Sequence, residues 1–248
     1  MIIRINELRY YTGQKPRCGI GSGAFLSVNA ACSEDDNEIY IKKAFSSQLI
    51  AVSFIFKTGT ALISNNIPDH KTCLELMERY QMLSNIREHC ILVSRVALAL
   101  AAELNKNGEA LNLLEIEAAA LLHDITKTKS IHSRENHAET GAHLLSSLGY
   151  ERIAQIVNAH ISITDMDAGG RITEEEIVNY ADKRVLHSTV VSLDQRFEDL
   201  MQRYGRNQES QHYIMLQKTR TRALEDKIFS RIHRPPADLP ALIAQHPY

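Results

Sequence analysis

Residues 118–127, AAALLHDITK, place an imidazole and a carboxylate side by side at the point where an apolar segment runs out. The apolar run predicts a short helix from Glu115 to Ile125, and its alanines allow neighbouring helices to approach closely. His123 and Asp124 then lie at the buried end of that helix. Burying an imidazole or a carboxylate is costly unless the group finds a partner, so this pair indicates a polar site inside an apolar core.

Helical periodicity continues on both sides of this segment. Apolar residues recur at three- and four-residue steps from Leu74 to Leu100, which predicts one long helix with His89 on its buried stripe. Thr173 and Glu176 have the spacing of a capping box, which marks the start of another helix. Further helices are predicted over residues 137–148, 151–160, 173–187, 193–204 and 208–231. The chain is therefore predicted to be mainly all-α.

The first 69 residues follow a different pattern. Short β-type runs at Met1–Ile5, Glu38–Ile41 and Ile50–Phe56 predict a small β-rich appendage. Asn65–Asp69 combines turn residues with a proline, which predicts a boundary before the helices begin. We therefore divide the chain into residues 1–69, a β-rich region of unassigned role, residues 70–206, a helical bundle, and residues 207–248, a C-terminal helix and tail.

Composition and charge exclude several classes of protein. The chain has 248 residues, of which 44% are hydrophobic and 23% charged, so it can bury a sizeable core and is not generally disordered. Its formal net charge is -2, and residues 71–200 hold 13 Lys and Arg against 20 Asp and Glu. This balance argues against nucleic acid or an anionic membrane as a partner.

Cysteine usage and hydropathy indicate the compartment. The four cysteines, at positions 18, 32, 73 and 90, form no CxxC pair, which argues against a disulfide scaffold and favours a reducing environment. The N-terminal ten residues lack the apolar core of a signal peptide, and the apolar stretch Ile91–Ala102 is too short to cross a bilayer. We expect a cytoplasmic protein without a membrane partner.

Polar side chains reach the buried side of five predicted helices. One histidine on an apolar face is usually a core residue with an internal partner, but five helices each bringing such a group inward is a different pattern. Divalent cations would satisfy these groups together, and nitrogen and oxygen ligands suit Mn, Fe, Co, Ni, Zn or Mg. Cys90 is expected to project away from His89 and to pack as a small apolar residue. The six candidate metal ligands are His89, His123, Asp124, His137, His160 and Asp182.

The order of these residues resembles the HD superfamily of metal-dependent phosphohydrolases, an all-helical fold named for its His-Asp doublet. ALLHDITK (120–127) resembles the HDIxK block of the family, HAETGAHLL (137–145) its middle helix, and YADKRV (180–185) its closing Ala-Asp-Lys. The resemblance extends over about residues 71–206. This portion is also similar to HD domains that are often joined to molybdenum-cofactor-type nucleotidyltransferases, although residues 1–69 are too short to be such a transferase.

The resemblance implies a metal centre and a reaction. The four-ligand site of the family corresponds to His89, His123, Asp124 and Asp182, and subgroups with two metals add two histidines, here His137 and His160, with Asp124 bridging the ions. One ion or two both stay open, and two are favoured. The implied reaction is hydrolysis of a phosphate ester or anhydride of a nucleotide or small metabolite by a metal-activated hydroxide, with Asp124 and Lys127 as catalytic residues.

Basic residues near the predicted metal centre are the candidate substrate contacts. Lys127 lies one helical turn after Asp124 and is expected to contact a phosphate. His132 and Arg134, in the loop before His137, are further candidate substrate contacts. Lys183 and Arg184 follow Asp182, and one of them is expected to reach the site, with Arg184 as the candidate substrate contact, although a solvated helix face explains both equally well. The expected partner is a phosphorylated small molecule.

Two rival functions and the role of the first 69 residues stay open. A non-catalytic HD-fold sensor or interaction module is disfavoured because all six candidate ligands are present. A metal-dependent nuclease or RNA-processing factor is disfavoured by the acidic middle of the chain. Residues 1–69 either cover the pocket or contribute a contact in a homo-oligomer.

Overall fold

The computed structural model describes residues 66–163, 167 and 169–246, together with two short strands nearer the N-terminus. The chain divides into two compact units, Met1–Leu62 and Ile63–Tyr248. In the first unit the described residues form one antiparallel pair, β1 (Asn29–Cys32) and β2 (Ile39–Lys42), with Asn29 opposite Lys42. β2 matches the strand predicted at Glu38–Ile41, displaced by one residue. The strands predicted at residues 1–5 and 50–56 lie outside the described residues.

The second unit is a bundle of helices, which confirms the mainly all-α prediction. The helices up to residue 159 are α1 (His70–Arg79), α2 (Ser84–Lys106), α3 (Leu113–Leu122), α4 (Lys127–Ser133), α5 (His137–Ser147) and α6 (Glu151–Ala159). From residue 174 onward come α7 (Glu174–Lys183), the hairpin β3 (Val185–Leu186) and β4 (Thr189–Val190), α8 (Leu193–Tyr204), α9 (Gln208–Ile232) and α10 (Leu239–Gln245). The chain divisions predicted at 69/70 and 206/207 stay predictions.

The central helix α2 packs against α3 and α7. Its Val93, Val96 and Leu100 are fully buried, which confirms the apolar stripe read from the sequence. Ala119 and Ala120 on α3 are buried as well, and their small side chains let the two helices approach closely. Because His89 lies on the same stripe of α2, its side chain also faces the interior.

The helix predicted to run continuously through residues 74–100 is wrong, because the chain breaks between α1 and α2. Gln81 adopts a left-handed conformation with φ of 53°, and the Met82 N–H donates back to the Met77 carbonyl over 3.0 Å. The Leu83 N–H donates instead to the Thr128 hydroxyl over 3.1 Å. Apolar spacing persists across the break because both helices bury residues in the same core, and the break is therefore invisible to periodicity.

The helix after the capping box also ends earlier than predicted. The box itself is confirmed, since the Thr173 and Glu176 side chains bond reciprocally to each other's backbone N–H groups. The helix stops at Lys183 rather than near His187, and a tight hairpin follows. Its pairing is extended by the Val191 N–H, which donates to the Arg184 carbonyl over 2.8 Å. His187 lies in the turn of this hairpin with φ of 53°, four residues beyond the end of the helix.

The C-terminal helix α9 packs on α2, α7 and α8. Buried polar contacts hold it there: the Lys227 ammonium lies 2.7 Å from a Glu176 oxygen, and the Tyr180 hydroxyl donates to Glu225 over 2.6 Å. Among the described residues, no helix combines the length and the apolar character needed to cross a membrane. The cytoplasmic location stays a prediction.

Candidate metal centre

The six predicted ligands come together where five helices meet. His89 lies on α2, and Asp182 lies on α7. His123 and Asp124 occupy the turn that follows α3, where the Ile125 and Lys127 N–H groups close short turns at 3.0 and 2.9 Å instead of extending the helix. His137 is the first residue of α5, and His160 follows the last residue of α6. All six are buried except His137, which is partly exposed.

Three of these residues form the first group of the centre. The His89 Nε2 lies 3.0 Å from the Asp182 Oδ1, and the His123 Nε2 lies 3.7 Å from the same oxygen. One ligand atom from each residue falls within 4.8 Å of the other two. A single cation in the middle of this group would therefore be within reach of two imidazoles and a carboxylate.

The second group consists of Asp124, His137 and His160. The Asp124 Oδ1 lies 3.2 Å from the His137 Nε2 and 3.8 Å from the His160 Nε2, and the two histidine nitrogens are 3.3 Å apart. The other oxygen of Asp124, Oδ2, lies 3.5 Å from the His123 Nε2. Asp124 therefore faces both groups, which is the position that a bridging carboxylate requires.

Backbone carbonyls fix which nitrogen of three histidines points inward. The Nδ1 atoms of His89, His123 and His160 lie 3.2, 2.8 and 2.6 Å from the carbonyls of His187, Ala120 and Val157. A carbonyl only accepts, so each Nδ1 carries the proton and leaves the Nε2 lone pair free for a metal. For His123 and His160 the acceptor is three residues earlier, in the last turn of the preceding helix.

Two buried atoms of the centre have no hydrogen-bond partner within the described part of the chain. They are the His123 Nε2 and the Asp124 Oδ1. Leaving a buried polar group without a hydrogen bond costs about 1–3 kcal/mol, so one such atom in each group indicates that a ligand completes the site. A divalent cation fits, because it accepts imidazole nitrogen and carboxylate oxygen together.

The electrostatics of the centre also favour a cation. Burial raises the pKa of Asp124, but His123 and Lys127 outweigh it and hold the pKa well below its usual range. Burial also raises the pKa of Asp182. Lys183, His123 and His89 lower that pKa by more, so it lies well below its usual range. Burial, reinforced by His123, lowers the pKa of His160 to about 3, so its imidazole is neutral.

His123 behaves differently from His160. Burial lowers its pKa, but the neighbouring Cys90 and Asp124 outweigh burial and raise the pKa well above its usual value. Asp124 and Asp182 therefore favour a positive charge next to His123. A proton on His123 supplies that charge when no metal cation does. Cys90 is fully buried as expected, but its sulfur lies within 4.8 Å of ligand atoms of His123 and Asp124, closer to the centre than the sequence predicts.

The centre opens into a cavity of about 550 Å³. The Lys127 ammonium lies in it, 2.6 Å from the Asp124 Oδ2. The remaining cations that line it are Lys183, Arg196 and Arg203. The apolar and aromatic residues on α8 and α9 that line it are Phe197, Leu200, Tyr204, Tyr213 and Ile214. A cavity with cations near the centre and an apolar wall suits an anionic organic molecule.

Only one of the four predicted substrate contacts lines this cavity, and it is Lys127. The structure does not place Arg184 at the cavity, where a substrate contact was expected. Arg184 is buried against α9, and its Nη1 lies 3.2 Å from the Glu225 Oε2. Two residues along a helix amount to a rotation of about 200°, so Arg184 and Asp182 lie on opposite faces of α7. His132 and Arg134 are exposed at the end of α4 and are not among the residues that line the cavity.

Sequence reasoning missed the part that α8 and α9 contribute. Arg196 lies between Leu193 and Leu200 on the apolar stripe of α8, and an arginine at such a position is a signal that the sequence contains.

Lys183 follows Asp182 directly; its ammonium lies 2.7 Å from the Asp182 Oδ2 and donates to the His160 carbonyl over 3.0 Å. It therefore braces two candidate ligands.

Comparison with known proteins agrees with this geometry. A family model of the HD domain matches residues 86–185, a range that contains all six candidate ligands. The chain is 30% identical over 145 residues to an uncharacterized protein of Methanocaldococcus jannaschii, and the match covers 53% of this chain and 85% of that protein. It is 32% identical over 139 residues to a tRNA (cytidine(56)-2'-O)-methyltransferase of Thermoplasma volcanium, where the match covers 53% of this chain but 37% of the methyltransferase. No solved structure gives a significant match.

Proposed function

This chain belongs to the HD-domain family, and from that premise we propose that it is a metal-dependent phosphohydrolase. Its substrate is a phosphate ester or anhydride of a nucleotide or other small metabolite. The observation that supports this proposal most strongly is the convergence of buried imidazole nitrogens and carboxylate oxygens from five helices, with no hydrogen bond to the His123 Nε2 or the Asp124 Oδ1 among the described residues. A site built only for stability would pair these atoms within the protein.

We propose that the centre holds two divalent cations. His89, His123 and Asp182 would hold one, His137 and His160 the other, and Asp124 would contact both. Such cations lower the pKa of water and neutralise phosphate oxygens when bound. Fe, Mn, Co, Ni and Zn suit this set of ligands, and Mg suits it less well because it prefers oxygen.

Residues of the chain supply orientation and charge. The carbonyls of Ala120, Val157 and His187 hold three imidazoles with Nε2 inward. Asp124, with its lowered pKa, stays ionised across the physiological range. The Lys127 ammonium lies beside it with a side chain that is 38% exposed, so it can also reach a phosphate in the cavity.

The cavity supports a small substrate. A volume of about 550 Å³ falls within the range of small-molecule sites, which is roughly 300–1,000 Å³. Its apolar wall on α8 and α9 would contact the organic part of the substrate, and its cations would contact the phosphate. A screen of phosphate esters and anhydrides would identify the base, sugar or other organic group that binds this wall best.

The test is hydrolysis by the whole chain, purified without chelator and reconstituted in turn with each candidate metal. We expect phosphate release from at least one ester or anhydride, loss of it with chelator, and recovery when the metal is restored. Asp124→Ala should abolish the activity while the helical circular dichroism signal persists. Asp226→Ala, at an exposed position of α9, is the matched control. Activity that survives Asp124→Ala in every metal would contradict the proposal.

The methyltransferase relative favours a second candidate, hydrolysis of a phosphate carried by RNA. The match covers 37% of that protein, so its name alone assigns no RNA substrate to this chain. The same screen separates the two candidates if it includes a short oligoribonucleotide with a terminal phosphate. Preference for the oligonucleotide over every mononucleotide would favour the RNA-processing function.

A further inference from the structure

Arg196 occupies an unusual position for an arginine. It lies on the apolar stripe of α8, next to Phe197, and its side chain is 11% exposed. It lines the cavity beside the metal centre. Lys and Arg are rarely buried to this degree unless their charge is paired, so the contacts of Arg196 indicate what the residue does.

Those contacts are long and incomplete. The Arg196 Nη2 lies 4.0 Å from the Asp182 Oδ1, and the Nη1 lies 3.5 Å from the Asp199 Oδ2. Hydrogen bonds between charged groups are normally about 2.7–2.9 Å. The Nε of Arg196 is buried and has no hydrogen-bond partner among the residues that the structure describes. The guanidinium group is therefore held in place without being satisfied.

Both carboxylates near Arg196 have closer partners. Asp182 accepts from the Lys183 ammonium over 2.7 Å and lies 3.0 Å from the His89 Nε2. Asp199 accepts from the Arg203 Nε over 3.0 Å. Each carboxylate therefore has a nearer partner than Arg196. An unsatisfied cation inside a cavity is what a site for an anionic ligand provides before the ligand binds.

We propose that Arg196 binds the phosphate group of the substrate. This inference rests on the proposed function, because it takes the anion in the cavity to be a phosphate. Lys127 approaches Asp124 and Arg196 approaches Asp182, so each group of the centre has one cation that can turn to a phosphate. The planar guanidinium can hold two phosphate oxygens at once, which the lysine ammonium cannot.

The test measures binding of inorganic phosphate to the metal-reconstituted chain by calorimetry, with metal content determined on the same samples. We expect Arg196→Gln to keep its metal and to bind phosphate about 10- to 100-fold more weakly, because one charge-assisted contact is lost. Arg196→Lys should recover part of the affinity. Arg206→Gln, at an exposed position just after α8, should bind phosphate like the wild type.

Three outcomes would overturn the inference: no phosphate binding by the metal-loaded wild type, unchanged affinity in Arg196→Gln, or loss of metal from both Arg196 variants. The last would make Arg196 a positioning residue that acts through Asp182. Failure of the proposed function looks different. If the wild type binds phosphate through Arg196 but hydrolyses no ester, Arg196 is still a phosphate contact and the phosphohydrolase is refuted. If the wild type and Arg196→Gln hydrolyse esters equally well, the phosphohydrolase stands and the role of Arg196 is refuted.

Discussion

The helix α7 separates two buried polar regions that are built in opposite ways. On one face, Asp182 joins the His/Asp centre formed by the six candidate ligands. On the other face, Glu176, Tyr180 and Arg184 recur every four residues and meet Glu225 and Lys227 of α9, a set that we call the α7–α9 network. Both regions bury several ionisable groups in one small unit.

The two regions differ in how completely their polar atoms are paired. In the α7–α9 network, Glu225 accepts from Tyr180 over 2.6 Å and pairs with Arg184 at 3.2 Å, and Arg184 also donates to the Val191 carbonyl over 2.7 Å. In the centre, the His123 Nε2 and the Asp124 Oδ1 have no partner within the described residues. A satisfied network fixes packing, whereas an unsatisfied cluster is ready to bind a ligand.

The largest expected effect is on activity, at the carboxylate that faces both groups. Asp124→Asn keeps the volume of the side chain but removes its charge. Losing a residue that only supports a metal ligand weakens metal binding about 10- to 100-fold, and the loss in Asp124→Asn should be larger because Asp124 is a candidate ligand itself. Metal content and phosphate release measure this loss. The metal-free protein should also lose stability at neutral pH, because the lowered pKa of Asp124 means that its charge, paired with Lys127, stabilises the folded chain. Full metal content and unchanged phosphate release in Asp124→Asn would contradict the role of Asp124 in the centre.

The α7–α9 network should respond in the opposite way. Glu225→Ala leaves Arg184 buried without its carboxylate, and we expect the free energy of unfolding to fall by about 3–5 kcal/mol. Metal content per folded chain should not change. Denaturant unfolding, with the adjacent exposed Asp226→Ala as the control, measures the difference. Loss of metal at unchanged stability would show that the two faces of α7 are not independent.

Asn179 gives an intermediate effect, because it supports a ligand without being one. Its amide donates to the carbonyls of Ala159 and His160 over 3.1 and 2.8 Å and so fixes the end of α6. Asn179→Ala should weaken binding of the metal proposed at His137 and His160 about 10- to 100-fold. Asn158→Ala, exposed on α6, should leave metal binding as it is. Equal metal affinity in both variants would remove Asn179 from the support of His160.

The smallest effect is expected outside both regions. Lys218 pairs with Asp194 at 2.7 Å between α9 and α8, and the Asp194 side chain is 65% exposed. An exposed ion pair contributes at most about 1 kcal/mol, so Lys218→Ala should change the free energy of unfolding by less than that. A loss as large as that of Glu225→Ala would mean that exposed and buried charges contribute equally here, which would undo the contrast between them.

Much of this arrangement can be predicted from the sequence, because helical periodicity shows which residues turn inward. His89 on the stripe of α2 and the capping box at Thr173 are examples, and both are confirmed. The position of Arg184 could also have been predicted, since it follows Asp182 by two positions and the rotation of a helix places the two side chains on different faces.

The remaining features depend on contacts that periodicity does not encode. The break at Gln81 needs a left-handed residue that is not glycine, and the Leu83 N–H is satisfied by Thr128, which is distant in sequence. The stripe of α8 shows that Arg196 turns inward, but not that it turns toward Asp182. Periodicity identifies the buried side of a helix and leaves open which element faces it.

The most direct test of the account is elemental analysis of the chain purified without chelator, for the wild type, His137→Ala and the exposed His143→Ala of the same helix. We expect about two ions per chain in the wild type and in His143→Ala, and about one in His137→Ala. No bound metal in the wild type, even after reconstitution with Mn, Fe or Ni, would contradict it.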